Sequence, residues 1–401
     1  MIRTTALSAL RYPRFALFWT AQVISGFGDK ITLLALAFVT WELTHSALST
    51  ALAVVISTVP YATFGFFGGA IADAVGRRRS MVLCDLIRMG CVGLIPVLLL
   101  ANVSLSVIYA LVFVAAICSA VFSPARLALL PDIVPQARLG AGNSLVYGTD
   151  RAIEVVGTLL AGLLVGLLHE SAFYVDAATF AISAVLLSRI PLAEAARRAV
   201  SWGSLMADAA EGLRTIREIA VLRENTVLSL LAQLSLPVLN GLSPVLVFRE
   251  YGLGPQQYGA TEGAIALGAV ATSVIAPTAG DVGKGRSILL GFVGFGLVLL
   301  AFAISPPFAV ALLLFFFVGV TNVLFYVPNM TLLQEHAPTA LRGRVFGARL
   351  ALLNLTWLPV IIATGTLADA LPVPWLIGAS GAFTIVVAAV GATFRSIRDA
   401  D

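Results

Sequence analysis

GFFGGAIADAVGRRR, Gly65–Arg79, decides how this chain is read. It closes a long apolar run, then gives one acid, Asp73, a glycine, Gly76, and three arginines in succession, Arg77, Arg78 and Arg79. Three arginines cross a bilayer only at high cost, so this end is expected to stay in the cytoplasm. The direction of the apolar run before it follows, and the remaining spans alternate from there. Gly65 and Gly69 form a small-xxx-small pair, which lets the helix meet a neighbour backbone to backbone.

Composition agrees. Of 401 residues 59% are hydrophobic and only 11% charged, where soluble domains carry about 25%. The mean hydropathy is +0.97, so the chain is expected to be a helical membrane protein. The net charge of +4 reads as topology and not as affinity for nucleic acid. Cys84, Cys91 and Cys118 all lie in apolar runs, which implies neither a disulfide framework nor a metal site. Arg3, Arg11 and Arg14 precede a first apolar run too long for a signal-peptide core, so it reads as a retained span. No P-loop, GxSxG or HExxH occurs, and no cofactor or enzyme chemistry is expected.

Apolar runs mark spans at about 15–41, 47–72, 81–100, 105–122, 139–168 and 173–187, then at about 226–248, 258–277, 287–304, 308–330, 345–367 and 373–394. The expected organisation is a bundle over 1–188, a cytoplasmic connection over 189–225 and a second bundle over 226–401. Within the connection Trp202, Leu205, Met206, Ala209, Leu213 and Ile216 repeat at helical spacing, opposite Asp208, Glu211, Arg214 and Arg217. That pattern predicts an amphipathic helix at the membrane surface. All lysines and arginines except Lys30, Arg88, Arg151 and Arg249 then fall on one side, with both termini in the cytoplasm. The halves also resemble each other. ADAVGRRRS at 72–80 returns as GDVGKGRS at 280–287, and PARLALLPDIVP at 124–135 as PNMTLLQEHAP at 328–338. Both pairs lie about 200 residues apart, as a duplicated six-helix unit requires.

The pattern G-x-I-A-D-x-x-G-R-R, Gly69–Arg78, resembles the loop between the second and third helices of the major facilitator superfamily. With FWTAQVISGFGD at 18–29, FSPAR at 122–126 and LRGRVFG at 341–347, the chain is similar to the drug-efflux branch, the bacterial macrolide, tetracycline and siderophore exporters. The resemblance implies an all-α membrane protein of twelve transmembrane helices, arranged as two pseudo-symmetric six-helix bundles with the site near the midplane where they meet. It implies a monomer in the bacterial cytoplasmic membrane that exports hydrophobic or amphipathic small molecules by alternating access, driven by inward proton movement. It also implies a conformational gate at Gly69, Asp73, Gly76, Arg77, Arg78 and Arg126. Antiporters of this superfamily carry G-P-x-x-G-G in helix five; here Gly157–Gly162 reads GTLLAG, without the proline. FGD and SPAR also resemble bacterial lysophospholipid transporters, so lipid transport without proton coupling is the alternative. A non-transporting sensor would need a soluble partner-binding region, and the longest loop is short and mostly one helix.

Charges within spans each need an account, since an unpaired charge at mid-bilayer costs several kcal/mol. Asp150 and Glu154 share one face of helix five, with Arg151 beside them. Arg151 can neutralise one acid; the other is a proton-carrier candidate, or part of a buried network with Lys30, Arg88 or Arg126. Asp29, at the middle of helix one, is a proton-coupling candidate or the partner of Lys30 or Arg88. Asp85 and Arg88, three apart, read as an ion pair packing helix three. In the second half Asn240, Glu262, Phe325, Tyr326, Asn354 and Trp357 are candidates for an apolar substrate cavity with few polar groups, or ordinary helix packing.

Overall fold

The structure, a computed structural model, describes residues 6–191, 202–275, 283–339 and 341–398. Side chains at 6–7, 58, 61–67, 69–70, 73, 137 and 202–209 lie outside the description. Every regular element among these residues is helical. Ten stretches are long and apolar enough to cross a membrane. One of them, Leu139–Ser188, runs 50 residues; it turns at His169, whose φ is 50°, and so holds two crossings. α2, Ala47–Val75, adds another at 29 residues. The expected twelve crossings of an all-α membrane protein are thus accounted for.

The helices group into two compact units. The first comprises residues up to Thr40 with Ile56–Val200, and the second Trp41–Val55 with Ser201–Asp401. The first contains most of α1 (Pro13–Thr44), most of α2, α3 (Arg77–Leu100), α4 (Leu105–Ile133), α5 (Leu139–Ala152), α6 (Thr158–Leu168) and α7 (Ala172–Ser188). Its core at the arginine end is apolar: Phe15, Phe18, Met81, Phe122, Leu129 and Leu130 are buried together. There Arg77 donates to the Ala128 carbonyl at 2.8 Å and to Asp132 at 2.9 Å, while Arg78 donates to the carbonyls of Ser188 and Ile190. Each arginine thereby ties the start of α3 to another helix.

Two expectations about helix continuity change. The sequence places the end of the fourth span near Phe122, before the prolines, yet α4 runs on through Pro124 and Pro131 to Ile133. Proline removes one N–H from the helix ladder and leaves the carbonyl four residues back without its donor. In a bundle, neighbours absorb that loss. Gly68 of α2 sits so close to the Ala120 carbonyl that a Cβ there would lie 2.5 Å from the oxygen. Only glycine lets the two backbones meet. The second change concerns helix five. It lacks the proline and passes instead through a π-helical turn, Ile153–Gly157, between α5 and α6, a register break of the kind found at functional sites.

The second unit holds α8 (Trp202–Glu218), α9 (Ala220–Ala232), α10 (Leu236–Val245), α11 (Pro255–Ile275), α12 (Lys284–Ala301), α13 (Phe308–His336), α14 (Arg342–Ala370), α15 (Val373–Thr393) and the short α16 (Arg395–Arg398). The amphipathic segment is helical as expected, and it packs on α14: Ile216 is buried with Val345 and Ala348, and Glu211 pairs with Arg344. α10 carries Pro244 in its interior, and the seventh span breaks earlier, at residues 233–235, between α9 and α10. Asp369 at the end of α14 accepts from the Ala47 amide at 2.6 Å, capping α2. A buried arginine, Arg349, joins three helices. It donates to Asn225 at 3.1 Å, Ser229 at 2.7 Å and Asn329 at 2.5 Å. Among the described residues no carboxylate pairs with it.

Candidate functional site: a charged cavity in the first unit

Gln22, Ser25, Gly26, Asp29 and Lys30 recur at helical spacing, so α1 turns one polar stripe inward. α4 answers with Ser119, Phe122, Ser123 and Arg126, and helix five with Asp150, Arg151 and Glu154. These residues, with Arg88 of α3, enclose a cavity of about 310 Å³. A second cavity of about 280 Å³ shares Asp29, Lys30, Arg88 and Ser119 with it and continues to Thr32, Asp176 and Phe180. The two form one polar system inside a single six-helix unit.

Most of the charges in its walls fall into pairs. Arg126 grips Asp150 with two parallel bonds, 3.0 and 2.9 Å, the fork geometry that makes arginine–carboxylate pairs strong. Arg151 donates to Glu154 at 2.5 Å one turn along. Both helix-five acids therefore carry an arginine of their own. Arg88 is the most enclosed cation, 2% exposed. It binds Asp85, reaches Asp29 at 3.3 Å and Ser119 at 3.2 Å, and lies between the rings of Phe122 and Phe180, 4.7 and 4.1 Å from their centroids. Two aromatic faces and a carboxylate replace the water it gives up. Asp85 also accepts from Ser183 at 2.6 Å. Asp29 differs: its pairing with Arg88 is long, and 43% of its side chain opens on the cavity. Lys30 lines both cavities and makes no ion pair among the described residues.

Of the gate residues, Gly76 starts α3 at φ 100°, a conformation that suits glycine. Arg77 and Arg78 bind as described above and Arg126 belongs to the cavity. The side chains of Asp73 and Gly69 lie outside the described residues. The second-unit candidates are dispersed. Phe325 is buried and stacked on Phe292 with centroids 4.6 Å apart, so it packs α12 to α13. Tyr326 and Asn240 are exposed, and Asn354 and Trp357 half-buried. Glu262 accepts from Ser243 at 3.4 Å.

Sequence reading made Asp85 and Arg88 an internal ion pair, which they are, but Arg88 also lines both cavities, and Asp176, to which sequence reading gave no role, lines the second. The missed signal was spacing. Asp85 and Arg88 on α3, and Asp176 and Thr179 on α7, are polar pairs three apart inside apolar runs, which face one interior side of a helix.

Comparison with known proteins gives this arrangement a context. A family model described as Major Facilitator Superfamily matches residues 18–361 and 226–401. The chain is 28% identical to the multidrug efflux pump Tap of Mycolicibacterium fortuitum over 87% of this chain and 88% of that protein. It is 22% identical to macrolide efflux protein A of Streptococcus pyogenes over 97% of both. Among solved structures, the POT family transporter PepTSo superposes with a TM-score of 0.75 at 14% identity, covering 98% of this chain and 99% of that one. A bacterial homologue of the iron transporter ferroportin, in an inward-facing state, gives 0.67 at 17%, covering 95% and 98%. At such identities these two structures speak for the fold alone.

Proposed function

The chain belongs to the Major Facilitator Superfamily, and from that premise we propose that it exports hydrophobic or amphipathic small molecules by alternating access, in exchange for protons. It is a multi-pass secondary transporter and not an enzyme; the direction, the guest and the coupling ion are what the proposal adds. Relatives that span nearly the whole chain are named for drug and macrolide efflux, which supports export of amphipathic guests. The observation that carries proton coupling is the cavity itself. Its first-unit walls hold several carboxylates, and one of them, Asp29, is both half-exposed to the cavity and only loosely paired. An ion gradient drives uphill movement only through a group whose occupancy differs between the two facing states. Asp29 is the carboxyl at which a proton from the aqueous side would first arrive, with Asp150, Arg151 and Glu154 on the same cavity wall.

The remaining parts follow from this reading. Both termini lie in the cytoplasm of a bacterial cell, on the side holding nearly all lysines and arginines; a cysteine placed at Ser305 is then labelled from outside the cell and one at Ser201 is not. The protein works as a monomer in the lipid bilayer of the inner membrane. Asn240, Glu262, Tyr326, Asn354 and Trp357 contribute the second unit's surface toward the guest, and Phe325 packs behind them. The stretch Gly69, Asp73, Gly76, Arg77 and Arg78, with Arg126, acts as the conformational gate. Asp73→Asn is accordingly expected to slow transport several-fold while guest affinity in detergent changes less than about threefold; a large loss of affinity at normal turnover contradicts the gate.

The test of the function is flux in proteoliposomes for a panel of a macrolide, a lipophilic cation and a lysophospholipid, with and without a pH gradient. Accumulation of the macrolide or cation that depends on the gradient supports the proposal. Flux of the lysophospholipid alone, indifferent to the gradient, replaces it with lipid transport.

A further inference from the structure

Asp176 stands at the far end of the second cavity, in the first turns of α7, and is completely buried. Its oxygens meet two hydroxyls, Thr32 of α1 and Thr179 of its own helix, and it makes no ion pair among the described residues. A methyl group at position 28 would overlap both its Oδ1 and the Thr179 hydroxyl. Gly28 is therefore what lets α1 close over this carboxyl. An ionised carboxylate removed from water with no cation beside it is costly, and ordinarily takes a proton instead.

The hydrogen-bond count says where that proton would sit. The Thr179 hydroxyl lies 2.7 Å from the backbone carbonyl of Asp176 and 3.0 Å from Asp176 Oδ1. It has one proton to give, and the carbonyl, the nearer oxygen, can only accept. If the hydroxyl donates to the carbonyl, the contact with Oδ1 needs a hydrogen from the carboxyl itself. The arrangement is then a short chain: Asp176 Oδ1–H donates to Thr179, and Thr179 donates to the carbonyl. Thr32 donates to the other carboxyl oxygen. Every group is satisfied when Asp176 is neutral.

Charge balance points the same way. Among the described residues, the charged groups lining the two cavities are Asp29 and Lys30 from α1, Arg88 from α3, Arg126 from α4, Asp150, Arg151 and Glu154 from helix five, and Asp176 from α7, with Asp85 behind them on Arg88. α4 adds only Ser119 and apolar side chains to the second cavity. Five acids face four cations, so one proton makes the set neutral, and four of the acids already touch an arginine.

We propose that Asp176 is the proton-carrying carboxyl of this transporter, loaded and unloaded through the cavity it shares with Asp29. A proton entering from the aqueous side reaches Asp29, the half-exposed member, and passes into the Thr32–Asp176–Thr179 cluster. Its departure leaves an uncompensated carboxylate that shares its cavity with two cations, Arg88 and Lys30, which gives the two protonation states different preferred arrangements of α1, α3 and α7. This rests on the proton-coupled reading above, and the test has two arms so that the two can fail separately.

The first arm needs no substrate. Infrared spectra of the purified full-length protein at neutral pH are expected to contain the carbonyl band of a protonated carboxyl, lost in Asp176→Asn and kept in Asp29→Asn, Asp150→Asn and Glu154→Gln. Thr179→Val, which keeps shape but removes the acceptor, should shift the band without removing it. A band unchanged in Asp176→Asn, or unmoved in Thr179→Val should Asp176→Asn not fold, overturns the proposal. The second arm measures ethidium accumulation in proteoliposomes under a pH gradient. Asp176→Asn should reduce it to the level seen without a gradient while preserving exchange down a concentration gradient. A wild type that responds to the gradient beside an Asp176→Asn variant that responds equally overturns the carrier role alone. A wild type indifferent to the gradient, with the infrared band present, overturns proton coupling and leaves Asp176 a neutral structural acid.

Discussion

Replacing Arg88 with leucine should cost about 3–5 kcal/mol of stability and abolish transport, the largest single-residue loss expected in this protein. The guanidinium neutralises Asp85, which is fully buried, and reaches Asp29 at 3.3 Å. Leucine fills much of the space between Phe122 and Phe180 but leaves the buried Asp85 without its cation and Asp29 without its arginine contact. Breaking a buried pair from one side strands a charge, and that penalty exceeds the net worth of the pair. The double variant Asp85→Asn with Arg88→Leu should therefore recover a large part of the loss, because asparagine is neutral and still accepts from Ser183. Arg88→Lys should fall between them: an ammonium keeps the charge but cannot lie flat between two rings while binding two carboxylates. Thermal unfolding in detergent for the four proteins closes a double-mutant cycle. Equal stabilities of Arg88→Leu and the double variant would show that the cost lies in packing and not in a stranded Asp85.

The parts of this molecule legible in sequence are those set by composition and local chemistry. Arg77, Arg78 and Arg79 ended the second span where α3 begins, and helix five was bounded at 139–168 because apolar length alone decides a crossing. What sequence reading missed depends on which helix faces which. For the helix-five acids the sequence left two readings open, a proton carrier or a buried network with Lys30, Arg88 or Arg126; packing chooses the network, with Arg126 of α4, 24 residues away, on Asp150. Asp29 likewise had two possible partners in sequence, Lys30 beside it and Arg88, and packing chooses Arg88, 59 residues away. Asp176 looked unremarkable beside the more central acids because its isolation from cations is a property of packing. The prolines of α4 misled for a similar reason. Their cost is real in a lone helix, but Gly68 fits against the freed backbone of α4 from α2.

Neutralising Asp29 should separate driven from passive transport, whereas neutralising the helix-five acids should not. Asp150 is held by Arg126 through two bonds and Glu154 by Arg151 at 2.5 Å. Asp150→Asn or Glu154→Gln breaks up an arginine pair and leaves Asp29 and Asp176 in place. Those variants leave an arginine facing the cavity, so they should slow flux several-fold and alter which cationic guests are accepted. Asp29 opens on the cavity with only a long contact to Arg88, and both cavities include it. Asp29→Asn keeps its size and hydrogen bonding but closes the entrance through which protons reach the buried acids. Accumulation against a gradient should fall to the passive level, at least tenfold, while exchange down a gradient persists. The deciding measurement is flux in proteoliposomes at fixed internal pH with the external pH stepped from about 6 to about 8, a range that changes the proton gradient hundredfold. Wild type and both helix-five variants should respond to the step and Asp29→Asn should not. If Asp150→Asn or Glu154→Gln loses the response and Asp29→Asn keeps it, the proton travels along helix five past its π-turn, and the arginine pairs there open during each cycle.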